Sequence, residues 1–345
     1  MTRARAFWTT APGCGELRDE HLAPPAAGTY RVRTLATGVS RGTEALVFAG
    51  RIPESQHRAM RAPLMGGAFP FPVKYGYSAV GVIEDEILPF PLREGAGSSQ
   101  APGIGSALAA IRPGQRVFVL HPHQDRFNAP AAMCIAVPDN VPTSRAVLAA
   151  NMETALNLLW DAVPLPGERM LVVGAGVIGL LTASLLARVP ATTVTLVDTN
   201  PARAVLAHAF GCDFSLPDAA PGEQELIIHT SASEASLRLC LASAAFEARI
   251  VEASWYGDAA PALPLGEAFH ARRLRLLASQ VGAISPPMRG RRSHAERLAL
   301  ALSLLADTRF DALLEGPTPF ANLPAAMPTI LRPGGLCHVV TYAPS

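Results

Sequence analysis

This chain has no excess of charge of either sign. Its 345 residues carry 29 Lys+Arg against 28 Asp+Glu, so no field builds up that would draw it to nucleic acid or an anionic membrane surface. The local basic cluster Arg289-Gly290-Arg291-Arg292 reads as a solvated turn in preference to a phosphate site. Long apolar runs are missing too. No uninterrupted stretch reaches the roughly 20 residues of a membrane span, and the N-terminus lacks the cationic-then-apolar layout of a secretory signal. The cysteines, Cys14, Cys134, Cys212, Cys240 and Cys337, are scattered, odd in number and without a CxxC pair. That spacing argues against a disulfide framework or a thiolate zinc site. No internal repeat is evident. What remains is the expectation of a cytoplasmic protein with reduced thiols, no nucleic-acid or membrane partner, a small-molecule substrate, and length enough for two domains.

The chain changes character near its middle. Up to about residue 148, short alternating runs such as Tyr30–Leu35, Ala79–Glu84 and Gln115–Leu120 are punctuated by Pro and Gly, which predicts a β-rich, barrel-like domain. Within it, Pro89–Gly105 is rich in Pro, Gly and Ser and reads as a surface insertion. From Ala149 onward, helical and strand-like runs alternate. A helix is expected over Ala149–Trp160, strands over Glu225–His229 and Ala248–Glu252, and a helix between them over Ser233–Ala245. Such alternation predicts a parallel, doubly wound α/β sheet. After Pro286-Pro287, a helix at His294–Ala306 and a closing run at Leu336–Val340 return to the first domain. The expected division is 1–148, 149–287 and 288–345.

The most specific local pattern is Leu171-Val172-Val173-Gly174-Ala175-Gly176-Val177-Ile178-Gly179-Leu180. An apolar strand enters a Gly-x-Gly-x-x-Gly turn that opens into a helix. Gly174 suits the tight turn, Gly176 lets a pyrophosphate approach the backbone, and Gly179 lets the helix pack closely on its strand. The N-terminus at Val177 and Ile178 offers N–H groups to phosphate. Nineteen residues after Gly179, Asp198 ends a second β-branched run, Thr192–Val197. A carboxylate there accepts from a ribose diol and repels a 2′-phosphate, which favours NAD(H) and leaves NADP(H) open. Arg203, five residues on, is a candidate for the adenosine edge and equally a plain surface charge.

The order of these parts resembles the medium-chain dehydrogenase/reductase, alcohol dehydrogenase-like superfamily. Three further segments carry the likeness. Gly38-Val39-Ser40-Arg41-Gly42-Thr43-Glu44 is similar to its Gly-Ile-Cys-Gly-Thr-Asp segment. Gly76-Tyr77-Ser78-Ala79-Val80-Gly81-Val82 is similar to Gly-His-Glu-x-x-Gly-x-Val, and Pro113-Gly114-Gln115-Arg116-Val117 to Pro-Gly-Asp-Arg-Val. The resemblance implies a GroES-like β-rich catalytic domain with a Rossmann cofactor domain, a substrate cleft between them, and a C2 homodimer through the sheet edge at Leu274–Ser279. The Ser-x-Gly-Thr-Glu and Gly-Tyr variants also resemble, locally, the bacteriochlorophyllide hydroxyethyl dehydrogenases.

The departures from the family pattern bear on chemistry. Where zinc-dependent members hold the metal by Cys, His and a third Cys or Glu, this chain has Ser40 or Arg41, Tyr77 and a position near Ala150. Hydroxyls and a methyl group do not replace thiolate and imidazole at a tetrahedral zinc site. The structural zinc lobe is missing as well, so no zinc is expected at either place. Tyr77, given a lowered pKa, is then a candidate acid for a developing alkoxide or enolate, with space filling as the alternative. Thr43 matches the family's proton-relay hydroxyl, and Glu44 is read as orienting its loop. His121 is a candidate acid, base or substrate donor, and His123 a satisfied loop residue. Trp255 and Tyr256 either wall the pocket or pack in the core or an interface; Glu153 is read as serving helix capping or interdomain hydrogen bonding. The expected function is a zinc-independent, NAD(H)-preferring oxidoreductase interconverting an alcohol and a carbonyl. The alternatives are an NADPH-dependent quinone or enoyl reductase and a non-catalytic dinucleotide-binding sensor.

Overall fold

A computed structural model describes residues 2–84 and 111–343; the expected insertion at Pro89–Gly105 lies outside the described residues. The chain divides into two units, one made of residues up to Ala150 with those from His294, the other of Asn151–Ser293. The expected cuts at 148 and 287 fall two and six residues earlier. The Ser285 N–H donates to Asn157 Oδ1 at 3.2 Å within the second unit.

The first unit is built of short antiparallel strands. Strands β1 (Thr2–Ala11), β2 (Cys14–Leu22), β3 (Thr29–Val39), β4 (Gly66–Gly67), β5 (Val73–Lys74), β6 (Ala79–Ile83), β7 (Arg116–Val119), β8 (Arg126–Pro130) and β9 (Ile135–Ala136) follow in order, with helix α1 (Arg41–Phe48) after β3. Period-2 burial gives the strands their inner face. Val32, Ala79, Ile83, Val117, Val119 and Phe127 form one buried cluster.

The second unit opens with α2 (Ala149–Ala162) and then alternates β10 (Arg169–Val173), α3 (Val177–Leu186), β11 (Thr193–Val197), α4 (Ala204–Ala209), β12 (Asp213–Ser215), β13 (Gln224–His229), α5 (Glu234–Ser243), β14 (Ala244–Glu252) and β15 (Arg275–Ala278). The strands lie parallel in the order β12-β11-β10-β13-β14-β15, the doubly wound arrangement whose switch point falls between β10 and β13. The near-continuous apolar runs of β10, β11 and β13 reflect helices covering both faces. β15 is an edge strand, with Leu276 and Leu277 exposed.

The chain then returns to the first unit through α6 (His294–Leu304), β16 (Leu314–Pro319), α7 (Leu323–Ile330) and β17 (Cys337–Thr341), which pairs antiparallel with β3. Among the described residues no helix is long and apolar enough to cross a membrane, and all five cysteines are free thiols.

The return segment is tied down by a buried arginine. Arg145 donates from Nε and Nη2 to Asp311 at 2.8 and 2.7 Å, and from Nη1 to the carbonyls of Leu305 and Ala306. Arg145→Met removes these bonds and strands two carbonyls, at an expected cost of about 2 kcal/mol. Asp311→Asn, whose side chain is half exposed, is expected to cost less. A urea unfolding midpoint that stays put in Arg145→Met refutes this assignment.

Candidate active site

In the first unit, β3 delivers the chain to Ser40, the N-cap of α1, and the helix then presents Thr43 and Glu44 in its first turn. Glu44 is 3% exposed, and both its oxygens are engaged. Oε1 accepts from the Ser40 N–H at 2.7 Å, and Oε2 lies 2.9 Å from His123 Nε2. His123 is buried in turn, with Nδ1 2.6 Å from Thr37 Oγ1, which also meets the Tyr342 hydroxyl at 3.2 Å. The expected orienting role of Glu44 and satisfied state of His123 describe this geometry.

Tyr77 joins the same group. Its hydroxyl donates to Ser40 Oγ at 2.6 Å and is hydrogen-bonded with Thr43; its ring meets the edge of Tyr75. An acid role for Tyr77 is conditional on a lowered phenol pKa, and the surroundings act the other way. Burial and the Glu44 carboxylate push Tyr77 up to about 12, against the opposing effect of the Ser40 and Thr43 hydroxyls. Tyr77 is a neutral hydrogen-bond donor at ordinary pH.

His121 also departs from expectation. It is buried, stacked 3.6 Å from the ring of Phe127, and its Nδ1 lies 2.9 Å from the Pro122 carbonyl. Burial, reinforced by nearby Lys74 and His123, pushes its pKa down to about 3 despite that bond. An imidazole held neutral and packed on a ring is a core residue, and the expected acid–base role does not fit it.

The two candidates for the first metal place are both engaged elsewhere. Ser40 serves Tyr77, while Arg41 donates to the carbonyls of Leu336 and Arg332 and to Glu315 at 2.6–2.7 Å. Ala150 offers no donor atom. Among the described residues no group of three His, Cys, Asp or Glu side chains is arranged to hold a metal ion.

The second unit holds the glycine turn. Gly174 has φ +109°, and a Cβ at Gly179 would sit 1.8 Å from the Gly174 carbonyl, so both glycines are required by backbone geometry. Gly176, the N-cap of α3, has open space where its Cβ would be. Val177 and Ile178 follow in the first turn, before the Leu180 N–H to Gly176 bond. An anionic diphosphate fits this cradle. Asp198 stands beside it, Oδ2 accepting from the Ala175 N–H at 2.7 Å and Oδ1 from the Asn200 N–H at 2.8 Å. Each oxygen keeps a lone pair for a sugar hydroxyl. Arg203 ends a short turn of 3-10 helix just beyond, partly exposed. Tyr256 stacks on His229 and donates to Glu252 at 3.1 Å.

No family model matches the chain. It is 36% identical over 86 residues to an L-threonine 3-dehydrogenase of Rhizobium rhizogenes, a match covering 24% of each protein. The chain thus spans about a quarter of the length of that relative. A structure from Sinorhizobium meliloti, described as a zinc-binding dehydrogenase and bound to NADP, superposes with a TM-score of 0.75 at 17% identity, covering 99% of this chain and 100% of that one. An alcohol dehydrogenase of Escherichia coli complexed with NADH gives 0.72 at 16%, over 99% and 100%. The chain has the medium-chain dehydrogenase/reductase fold. The likeness to the bacteriochlorophyllide enzymes rests on the two short motifs.

His121 generates a prediction. Its folded pKa, about 3, lies below its unfolded value of 6.5, so the unfolded chain binds the proton first and stability falls as pH drops from 6.5 toward 3. The loss approaches about 1.4 kcal/mol per pH unit. His121→Gln is expected to remove about 2 kcal/mol of the decline between pH 6.5 and 5. Parallel stability–pH curves for the two proteins exclude a neutral buried His121.

Proposed function

For a chain with the medium-chain dehydrogenase/reductase fold, we propose a zinc-independent, NAD(H)-preferring oxidoreductase that interconverts an alcohol and a carbonyl by hydride transfer. The observation that carries this reading is the group Ser40, Thr43 and Tyr77, three hydroxyls joined by hydrogen bonds where zinc-dependent members are expected to hold their metal. The residues present do not fit zinc. They offer neutral oxygens in place of thiolate and imidazole, and the reading routes no step through a metal.

When bound, the nicotinamide supplies the carbon that gives or takes the hydride. The chain's own residues do the rest. Gly176, Val177 and Ile178 hold the diphosphate, and Asp198 takes the adenosine ribose and disfavours a 2′-phosphate. Tyr77 donates a hydrogen bond to the substrate oxygen, stabilising negative charge as it develops there. At a pKa of about 12 the phenol is a weak acid, yet an alkoxide is a stronger base than its phenolate. Thr43 passes the proton to or from that oxygen. Glu44 and His123 hold the start of α1 so that both hydroxyls stay in place.

The protein is proposed to be cytoplasmic and to pair with a second copy along the exposed edge of β15. The NADP-bound neighbour keeps the quinone or enoyl reductase reading as the second one.

Titration of purified protein with NADH and NADPH, followed by nicotinamide fluorescence with metal content measured on the same sample, tests the proposal. NADH binding at least about tenfold tighter, without stoichiometric zinc, is expected, with the preference narrowed in Asp198→Ala. Tyr77→Phe is expected to lower kcat by about 100-fold. Preference for NADPH brings the second reading forward, and stoichiometric zinc defeats the metal-free site.

A further inference from the structure

At the end of β13 a histidine stands between a carboxylate and a surface hydroxyl. His229 is wholly buried. Its Nδ1 lies 2.7 and 2.9 Å from the two oxygens of Glu252, the last residue of β14. Glu252 is fixed in turn, accepting from the Ser254 N–H at 2.7 Å and the Tyr256 hydroxyl at 3.1 Å. A carboxylate only accepts, so the proton of the ring sits on Nδ1 and Nε2 keeps its lone pair. In sequence these residues look unrelated. His229 and Glu252 stand 23 residues apart, and the parallel register of β13 and β14 makes them neighbours.

On its other side, His229 Nε2 lies 2.7 Å from Ser236 Oγ and 3.0 Å from Ser231 Oγ. Ser236 donates its one proton to the Ser233 carbonyl at 2.8 Å, which leaves Ser231 as the donor to Nε2. Ser231 is exposed, and it lies in the sharp turn from β13 into α5. The next residue, Ala232, has φ +50°, a left-handed conformation that a residue with a Cβ enters at a cost. Its N–H donates to Ser254 Oγ at 3.0 Å, which ties the turn to the end of β14. The Ser231 N–H has no protein acceptor among the described residues. The other sealed imidazole, His123, differs here, because both of its nitrogens end on buried groups.

We propose that Ser231, His229 and Glu252 form a second reactive site, a serine nucleophile that takes the acyl group of small carboxylic esters. Ser231 Oγ attacks the ester carbonyl carbon as His229 Nε2 takes the hydroxyl proton. The Ser231 N–H donates to the oxyanion that develops. The ester C–O bond then breaks, and the proton passes from His229 to the departing alcohol. Water, deprotonated by the same nitrogen, releases the acid and restores the serine. Glu252 is a positioning residue that holds the ring with Nε2 toward Ser231.

Reaction of the purified protein with a fluorophosphonate, followed by peptide mass spectrometry, tests the site alongside hydrolysis of p-nitrophenyl acetate. The phosphonyl group is expected on Ser231 in the folded protein and absent after unfolding in urea. Ser231→Ala is expected to abolish the labelling and to lower ester hydrolysis at least about tenfold, and His229→Gln to slow labelling by about 100-fold. Ser231 is exposed, so its variant carries the test if His229→Gln folds poorly. Nitrogen NMR is expected to find the His229 proton on Nδ1. Ser231 left unlabelled, labelling that persists in urea, unchanged hydrolysis in Ser231→Ala, or the ring proton on Nε2 overturns the site. The assay contains no nicotinamide, so its result stands apart from the dinucleotide reading.

Discussion

The first unit's site is organised by one buried carboxylate. Removing Glu44 from water costs several kcal/mol unless its lone pairs are met, and the fold meets them from two directions at once. The Ser40 N–H binds one oxygen at the start of α1, and His123 lies on the other. His123 is fixed by Thr37 on β3, and Thr37 by Tyr342 after β17. Three stretches of chain far apart in sequence, residues 37–44, His123 and Tyr342, are thereby joined around one functional group. The entry angle of α1 follows from it, and with that angle the places of Ser40 and Thr43. Tyr77 then has a partner 2.6 Å away, and the hydroxyl group forms as a consequence.

The same carboxylate sets the electrostatics. Its proximity helps hold Tyr77 neutral and also helps hold Cys337 as a thiol, pushed up to about 12 mainly by burial. The Ser40, Thr43 and Tyr77 hydroxyls are neutral groups that can donate. They can stabilise negative charge appearing on a substrate oxygen, which is the demand a carbonyl makes as it accepts a hydride.

The fold was legible because its signals are local. Glycine spacing, apolar runs and turn residues put β10, α3 and β11 within a residue or two of their places, and the alternation of runs gave the parallel sheet. The glycine jobs were legible too, since each depends on backbone within a few residues. The side-chain environments were less so. His121 and His123 stand two residues apart in an unremarkable loop. Their different surroundings, Phe127 for one and Glu44 with Thr37 for the other, depend on antiparallel neighbours contributed by distant sequence. The acid role considered for Tyr77 is conditional on a lowered pKa. Its actual environment, desolvated and beside a carboxylate, acts the other way, and nothing in the segment around Tyr77 shows that Glu44 lies near.

Among the described residues two imidazole–carboxylate pairs are buried, His123–Glu44 and His229–Glu252. In His123–Glu44 both partners are sealed, at 1% and 3% exposure, and every polar atom is used within the protein. Such a pair can only fix geometry. In His229–Glu252 the imidazole is sealed while the carboxylate keeps an open edge, at the end of a parallel strand where this class of sheet receives its ligands. There the Ser254 N–H and His229 lie on Oε1, and His229 and the Tyr256 hydroxyl lie on Oε2. Two pairs of the same chemistry thus do different work. What distinguishes them is the group on the far nitrogen of the imidazole, a buried threonine in one and an exposed serine in the other.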